Sequence, residues 1–322
     1  MNNVNYAKGI IFGMACVILV GLQPIIANSR PSALDAYFFA ATTCIIEASL
    51  FFPLMLIERK KIKASYRNEQ TNSEGLYLQL NGWKKNKILL IYVGINFGIA
   101  QILFFLGYQL AGAINGSLAQ KTTVIFALLF GYLINHEKIS KVQIIFSCVL
   151  LFGLTLAVTQ GSFNLLEFNI GVLLIFITVI LWMLGHSLTI PVFDRNEATP
   201  TQIVFIRNFL SGLFLITTYF IIFPLDNFIL LFDTVSLFFI VAMGISYGLG
   251  LFCWYKVLSY LGTSKATAMT GGTPIITIIF ATIILGEIFT IFHIIGALLV
   301  ILSVLIIVKP RKDEERKEDL IG

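Results

Sequence analysis

Charge is what this sequence has least of. Asp, Glu, Lys and Arg make up 12% of its 322 residues, about half the ~25% of an ordinary soluble domain. So few polar side chains cannot cover a water-exposed surface, which excludes a soluble enzyme and a disordered chain. Cysteine is scarce too. Cys16, Cys44, Cys148 and Cys253 fall inside apolar runs with neither zinc spacing nor a disulfide framework, and they read as core-filling thiols. The three histidines show no metal-ligand spacing. There is no Gly-x4-Gly-Lys-Ser/Thr motif, and the longest soluble segment is too short for an ATP-binding module. Acidic clusters able to hold magnesium around a phosphate are also missing. No catalytic residue, metal or cofactor is expected.

What is present is hydrophobic: 57% of the residues, 29 Phe among them. About 20 residues cross the hydrocarbon of a bilayer. Runs of that length fall at 8–28, 33–57, 87–108, 112–134, 140–159, 169–193, 200–223, 234–256, 264–286 and 290–308. The fold class is therefore an all-α integral membrane protein with ten transmembrane helices, or eight or nine if a run is re-entrant. The breaks carry turn residues, as in Asn28-Ser29-Arg30-Pro31-Ser32 and Gln160-Gly161-Ser162, and the tightest joins sit at Gly112 and Gly262. The first run is too long for a secretory h-region, and no Ala-x-Ala-like site follows it.

The net charge of +5 could suggest nucleic acid, but the basic residues lie in the loops and describe topology. With the N-terminus in the cytoplasm, 19 of the 22 Lys and Arg fall on the inner side. Only Arg30 is outside, while Lys121 and Arg207 lie within spans. Both termini are expected in the cytoplasm of a cell bearing this protein in its plasma membrane. The segment 58–86 is the one long loop, and it and the tail anchor topology or bind anionic headgroups or a partner.

Shifting the chain by 150 residues places Gly112 on Gly262, Thr123 on Thr273, Phe130 on Phe280 and Glu137 on Glu287. The polar set Asn115, Ser117 and Gln120 falls on Lys265, Thr267 and Thr270. Two halves of five spans follow, 1–160 and 161–309, with a charged tail at 310–322. An odd number of spans per half inverts the second half, the arrangement of secondary transporters that rock around a central site.

The segments LAGAINGSLAQKTTVIFALLFGYLINHEKIS and LSYLGTSKATAMTGGTPIITIIFATIILGEIFT resemble the EamA-like branch of the drug/metabolite transporter superfamily. The second keeps Pro274 and Leu285-Gly286-Glu287, whereas the first has Val124 for proline and Asn135-His136 for Leu-Gly. The resemblance implies that spans one, three, four, six, eight and nine surround a cavity and that two, five, seven and ten support it. It also implies that Glu137 and Glu287 match the family's glutamates, as caps or ties to the following helix or as gating groups.

A charge at mid-bilayer costs at least ~2.5–3.5 kcal/mol, which makes it a functional candidate by default. Lys121, among Ser117, Gln120 and Thr123, reads as a fixed cation for an anionic group or as the counter-ion of a carboxylate. Glu47 reads as a proton-coupling carboxylate or a structural partner of Lys121, His186 or Arg207. Arg207 reads as a residue that snorkels inward. Trp182, His186 and Thr189 share a helix face. Gly271-Gly272-Thr273-Pro274 weakens the ninth span, where a half-helix could present amides to an anion. With Thr270, Gln23, Asn96, Gln101, Ser246, Tyr247, Trp254 and Tyr255, these complete the candidate lining. The expected partners are a small-molecule substrate and the bilayer, with proton coupling and a homodimer left open and no nucleic acid. The function expected is secondary transport of small polar or amphipathic metabolites such as amino acids, with export the direction that the resemblance implies. A membrane-embedded lipid enzyme and a non-transporting sensor are the alternatives.

Overall fold

The computed structural model describes residues 3–68, 73–136, 138–163, 169–261 and 269–308, and every regular element among them is helical. The long helices are α1 (Asn3–Ser29), α2 (Ala36–Asn68), α4 (Lys87–Ala111), α7 (Lys141–Val158), α8 (Ile170–Asp194), α9 (Pro200–Ile222) and α10 (Thr234–Leu261). Between α2 and α4 lie α3 (Ser73–Asn81) and a 3-10 turn, Gly82–Asn86. α5 (Ala113–Gln120) and α6 (Thr123–Asn135) form one broken segment. α11 (Thr273–Phe280) ends in a π-helical turn, Ala281–Leu285, and α12 (Ile291–Ile307) follows. Among the described residues, eight helical segments are long and apolar enough to cross a membrane. Two more, Thr273–Leu285 and Ile291–Ile307, are apolar but shorter.

The repeat at 150 residues reaches into the local backbone. Ser140 caps α7 and exchanges hydrogen bonds with Gln143, while Thr290 and His293 do the same for α12. His136 ends α6 with φ 57° and Gly286 ends the π turn with φ 67°, so both take the left-handed capping conformation. The histidine that departs from Leu-Gly thus occupies the glycine's backbone geometry. Glu137, beside it, lies outside the described residues, as does the join at Gly262.

Packing exchanges the two halves. α1 lies against α10 and α4 against α8, two pairs that the repeat interconverts, while α2–α9 and α7–α12 are each their own counterpart. The last pair approaches closely through glycines: a methyl group on Gly296 would sit 2.5 Å from the Gly153 carbonyl oxygen. Buried aromatics including Phe38, Phe104, Phe105, Tyr108 and Tyr219 fill the centre.

Successive joins alternate between two ends of the bundle. At one end Asn28 donates to the Tyr108 carbonyl at 3.0 Å, Asn169 to that of Leu110 at 2.7 Å, and Thr290 to Gln160 at 2.5 Å. Arg30 is held there by the carbonyls of Ala27 and Leu34 and by Gln109. At the other end Asn86 donates to Glu197 at 2.8 Å, Thr199 to Glu58 at 2.7 Å and Gln143 to the Ile307 carbonyl at 3.1 Å. Most of the described loop cations lie at this second, basic end.

Two expectations are corrected. The described parts of the stretch 58–86 are helical and not an open loop. α2 runs on to Asn68, about 50 Å at 1.5 Å per residue, so its last turns outrun a ~30 Å hydrocarbon core. The fourth run, expected as one helix over 112–134, is broken at Lys121-Thr122.

Candidate functional site

The break in the fourth segment and the break before α11 are the same structure at the repeat spacing. The Thr122 amide donates to Ala119 and the Ile125 amide to Thr122; the Gly272 amide donates to Met269 and the Ile275 amide to Gly272. All four are three-residue bonds, so each helix tightens and turns before resuming. A Gly-Gly-Thr-Pro run explains the second break through lost helix propensity and a missing amide donor. The first has no proline and is stabilised by side chains instead. The hydroxyls of Thr122 and Thr123 donate to the carbonyls of Ala119 and Gln120, the first of which also takes the Thr122 amide.

Where the two breaks meet lies a cavity of about 450 Å³. Lys121 and Gln120 from one break and Thr270 and Gly271 from the other line it. The Lys121 ammonium donates to the Thr270 carbonyl at 3.0 Å, and the Tyr108 hydroxyl donates to the Gln120 amide oxygen at 3.0 Å. Gln23 of α1, Gln101 of α4 and Tyr247 with Trp254 of α10 add to the wall. α8 contributes Trp182 and His186, whose ring meets Phe97 edge-on at 5.2 Å.

A second charged group lies across the same cavity, on α2 and α9. Asn208 stands between two buried charges: its Nδ2 donates to Glu47 Oε2 at 2.9 Å, and its Oδ1 accepts from Arg207 Nε at 3.0 Å. The Arg207 guanidinium also covers the Phe97 ring at 4.3 Å. Glu47 Oε1 and Gln101 Nε2 are buried with no hydrogen-bond partner among the described residues. Among the described residues no ion pair joins Glu47 to Lys121, His186 or Arg207; its bonded partner is an amide. An array of one carboxylate and two cations, with aromatic walls, suits a ligand carrying charge of both signs and some apolar surface.

A model of the EamA-like transporter family matches residues 7–159 and 169–309, nearly the whole chain, in two repeats. The chain is a member of the EamA-like transporter family. It is thereby a multi-pass membrane protein of the drug/metabolite transporter superfamily. A solved crystal structure resembles this EamA-like protein with a TM-score of 0.59 at 15% identity, covering 94% of this chain and 97% of that one. At that identity the likeness shows the fold. Among curated proteins no relative matches.

For this EamA-like transporter the cavity draws on helices that the resemblance assigned to support. Cys44 and Glu47 of α2, Arg207, Asn208 and Ser211 of α9, and Val304 of α12 all line it; α7 contributes nothing. Cys16 and Cys44 are buried, as expected of core fillers, and also line the cavity, where Cys16 Sγ donates to the Gly250 carbonyl at 3.5 Å. Two candidate ligands are engaged elsewhere. Ser117 bonds the Ile114 carbonyl at 2.9 Å within its own helix, and Asn96 ties α4 to α8 through the Leu181 carbonyl at 2.7 Å. Ser246 likewise ties α10 to the Leu19 carbonyl. Glu287 does not serve the helix that follows it. Its two oxygens take the amides of Ala113 and Ile114, at 2.5 and 2.9 Å, at the start of α5 in the other half. Asn208 and Ser211 were missed, although the signal existed: in an apolar run Ser211 lies four residues from Arg207 and three from Asn208, spacings that make helix side chains neighbours.

Proposed function

We propose that this chain is a secondary transporter that exports small polar or amphipathic metabolites, zwitterions such as amino acids among them, by alternating access. In this reading the eight long segments and two shorter apolar helices make ten spans. The halves 1–160 and 161–309 enter the membrane oppositely, and the tail 310–322 and the N-terminus lie in the cytoplasm, beneath the plasma membrane. The positive-inside distribution supports that orientation.

The observation that carries the proposal is the position of the cavity, between two repeat-related helix breaks and lined from both halves. Rocking of one half against the other changes the spacing of those breaks. The Lys121–Thr270 hydrogen bond links them, so it strains or breaks as the cavity changes its open side. An anionic substrate group that takes the ammonium from Thr270 would favour that change. In this reading Glu47 carries a proton: its Oε2 accepts from Asn208, and its Oε1 has no partner among the described residues. Aromatic walls at Trp182, Tyr247 and Trp254 receive the apolar part.

The test is uptake and efflux of a labelled amino-acid and metabolite panel in proteoliposomes, with and without a proton gradient. Saturable flux that a gradient accelerates in wild type, and not in Glu47→Gln, is the expected result. Saturable binding without flux would replace transport with sensing.

A further inference from the structure

A second cavity, of about 210 Å³, lies at the basic end of the bundle, away from the central one. Its walls come from the last membrane turns of α2 (Met55, Arg59), the 3-10 turn before α4 (Trp83) and the start of α9 (Gln202, Phe205, Ile206). Gln202 is the feature that needs explaining. It is 1% exposed, and neither its amide nitrogen nor its amide oxygen has a partner among the described residues. An unsatisfied buried polar atom is destabilising, so apolar side chains would suit this position better if stability alone set it. Its backbone amide is already used by the Thr199 cap.

Arg59 shares the pocket, and among the described residues no hydrogen bond or ion pair engages it. The nearby acids are committed elsewhere. Glu58 accepts from the Thr199 hydroxyl at 2.7 Å, and Glu197 from Arg195 and Asn86. Exposed Lys60, Lys61, Lys84 and Lys85 flank the site. From the pocket an aromatic track leads outward: Phe205 packs on Phe209 at 5.8 Å and on Phe52 at 5.5 Å. Phe209 and Phe52 are 45% and 47% exposed on the apolar flank.

We infer that this pocket binds the headgroup of an anionic phospholipid, its phosphate taken by Arg59 and the Gln202 amide nitrogen, its acyl chain laid along Phe205, Phe209 and Phe52. The Gln202 amide oxygen needs a donor, which the glycerol hydroxyls of phosphatidylglycerol supply and phosphatidylcholine does not. A free phosphate satisfies the charge but makes no use of the aromatic track. The site rests on membrane placement alone and is independent of what the central cavity carries.

The full chain, delipidated in detergent, would be melted with phosphatidylglycerol, phosphatidylcholine or inorganic phosphate, and lipid retention would be read by native mass spectrometry. A ligand that binds only the folded state raises the melting temperature. Phosphatidylglycerol should raise it well above phosphatidylcholine, and Arg59→Gln and Gln202→Met should each cut that increment and the retention several-fold. Gln202→Met should also melt no lower than wild type without lipid, because it removes two unsatisfied polar atoms. Equal effects of the two lipids, or an increment intact in both variants, would overturn the site. A full shift from inorganic phosphate would overturn the lipid as its occupant. If Gln202→Met does not fold, Arg59→Gln decides alone.

Discussion

The Lys121 ammonium and the Thr270 carbonyl, 3.0 Å apart, tie together two helix breaks that the 150-residue repeat makes equivalent. Thr270 is the repeat counterpart of Gln120, the residue just before Lys121. A side chain from one half therefore caps the interrupted helix of the other, and it does so at the wall of the central cavity.

Lys121→Ala removes both that tie and a cavity cation. A hydrogen bond to a charged group contributes about 1.5–3 kcal/mol, so a small drop in melting temperature is expected from a protein that still folds. Flux of an anionic or zwitterionic substrate should fall ~10-fold or more, equivalent to about 1.4 kcal/mol. Proteoliposome flux measured beside thermal melting separates the two effects. Unchanged flux would make Lys121 a structural strut.

Asn208 holds Glu47 and Arg207 apart while bonding both. Asn208→Ala leaves two buried charges each short of a partner and should cost about 3 kcal/mol or more. Glu47→Gln combined with it should cost less than the sum of the two single changes, because they disrupt one network. A double-mutant cycle by chemical denaturation in detergent checks this; strict additivity would mean that the bridge contributes nothing.

Gly112 and Glu287 form a crossing between the halves. Gly112 adopts φ 80°, and a methyl group there would lie 3.2 Å from both carboxylate oxygens that cap α5. Gly112→Ala should destabilise by about 1–3 kcal/mol through backbone strain, and Glu287→Gln by about 1 kcal/mol through a weakened cap. Thermal melting of the two variants tests this. A neutral Gly112→Ala would show that the join can rearrange freely.

Hydrogen bonds from Arg195, and then from Asn86, hold the Glu197 carboxyl below its ordinary value. A depressed carboxylate pKa adds stability that is present above the unfolded-state value and is lost as pH falls through the folded one. Melting temperature should therefore drop on acidification below the usual carboxylate range, and Glu197→Gln should flatten part of that slope. Arg195 is half exposed, so the effect is small. Parallel slopes for wild type and variant would dismiss it.

Much of the candidate site's lining was legible because intramembrane polarity is expensive and therefore conspicuous. Lys121, Gln120, Gln23, Gln101, Trp182, His186, Tyr247, Thr270 and Gly271 were singled out as polar, aromatic or helix-breaking residues in apolar runs, and all nine line the cavity. Asn96 and Ser117 carried the same signal and turned out to bond backbone carbonyls. A polar side chain in an apolar helix must be satisfied, but its composition does not say whether backbone or cavity satisfies it.

Hydropathy, charge asymmetry and the 150-residue self-similarity are properties of the chain itself. They sufficed for an all-helical membrane protein of two related halves, since segment length and loop charge act before any tertiary contact forms. Only the folded structure could place Glu47 beside Asn208, break the proline-free segment at Lys121-Thr122, or send Glu287 across to α5. Those are meetings of residues more than a hundred positions apart or local bends stabilised by neighbours. They depend on which faces of which helices pack together, and apolar sequence periodicity barely records that inside a membrane, where lipid and protein interior are equally apolar.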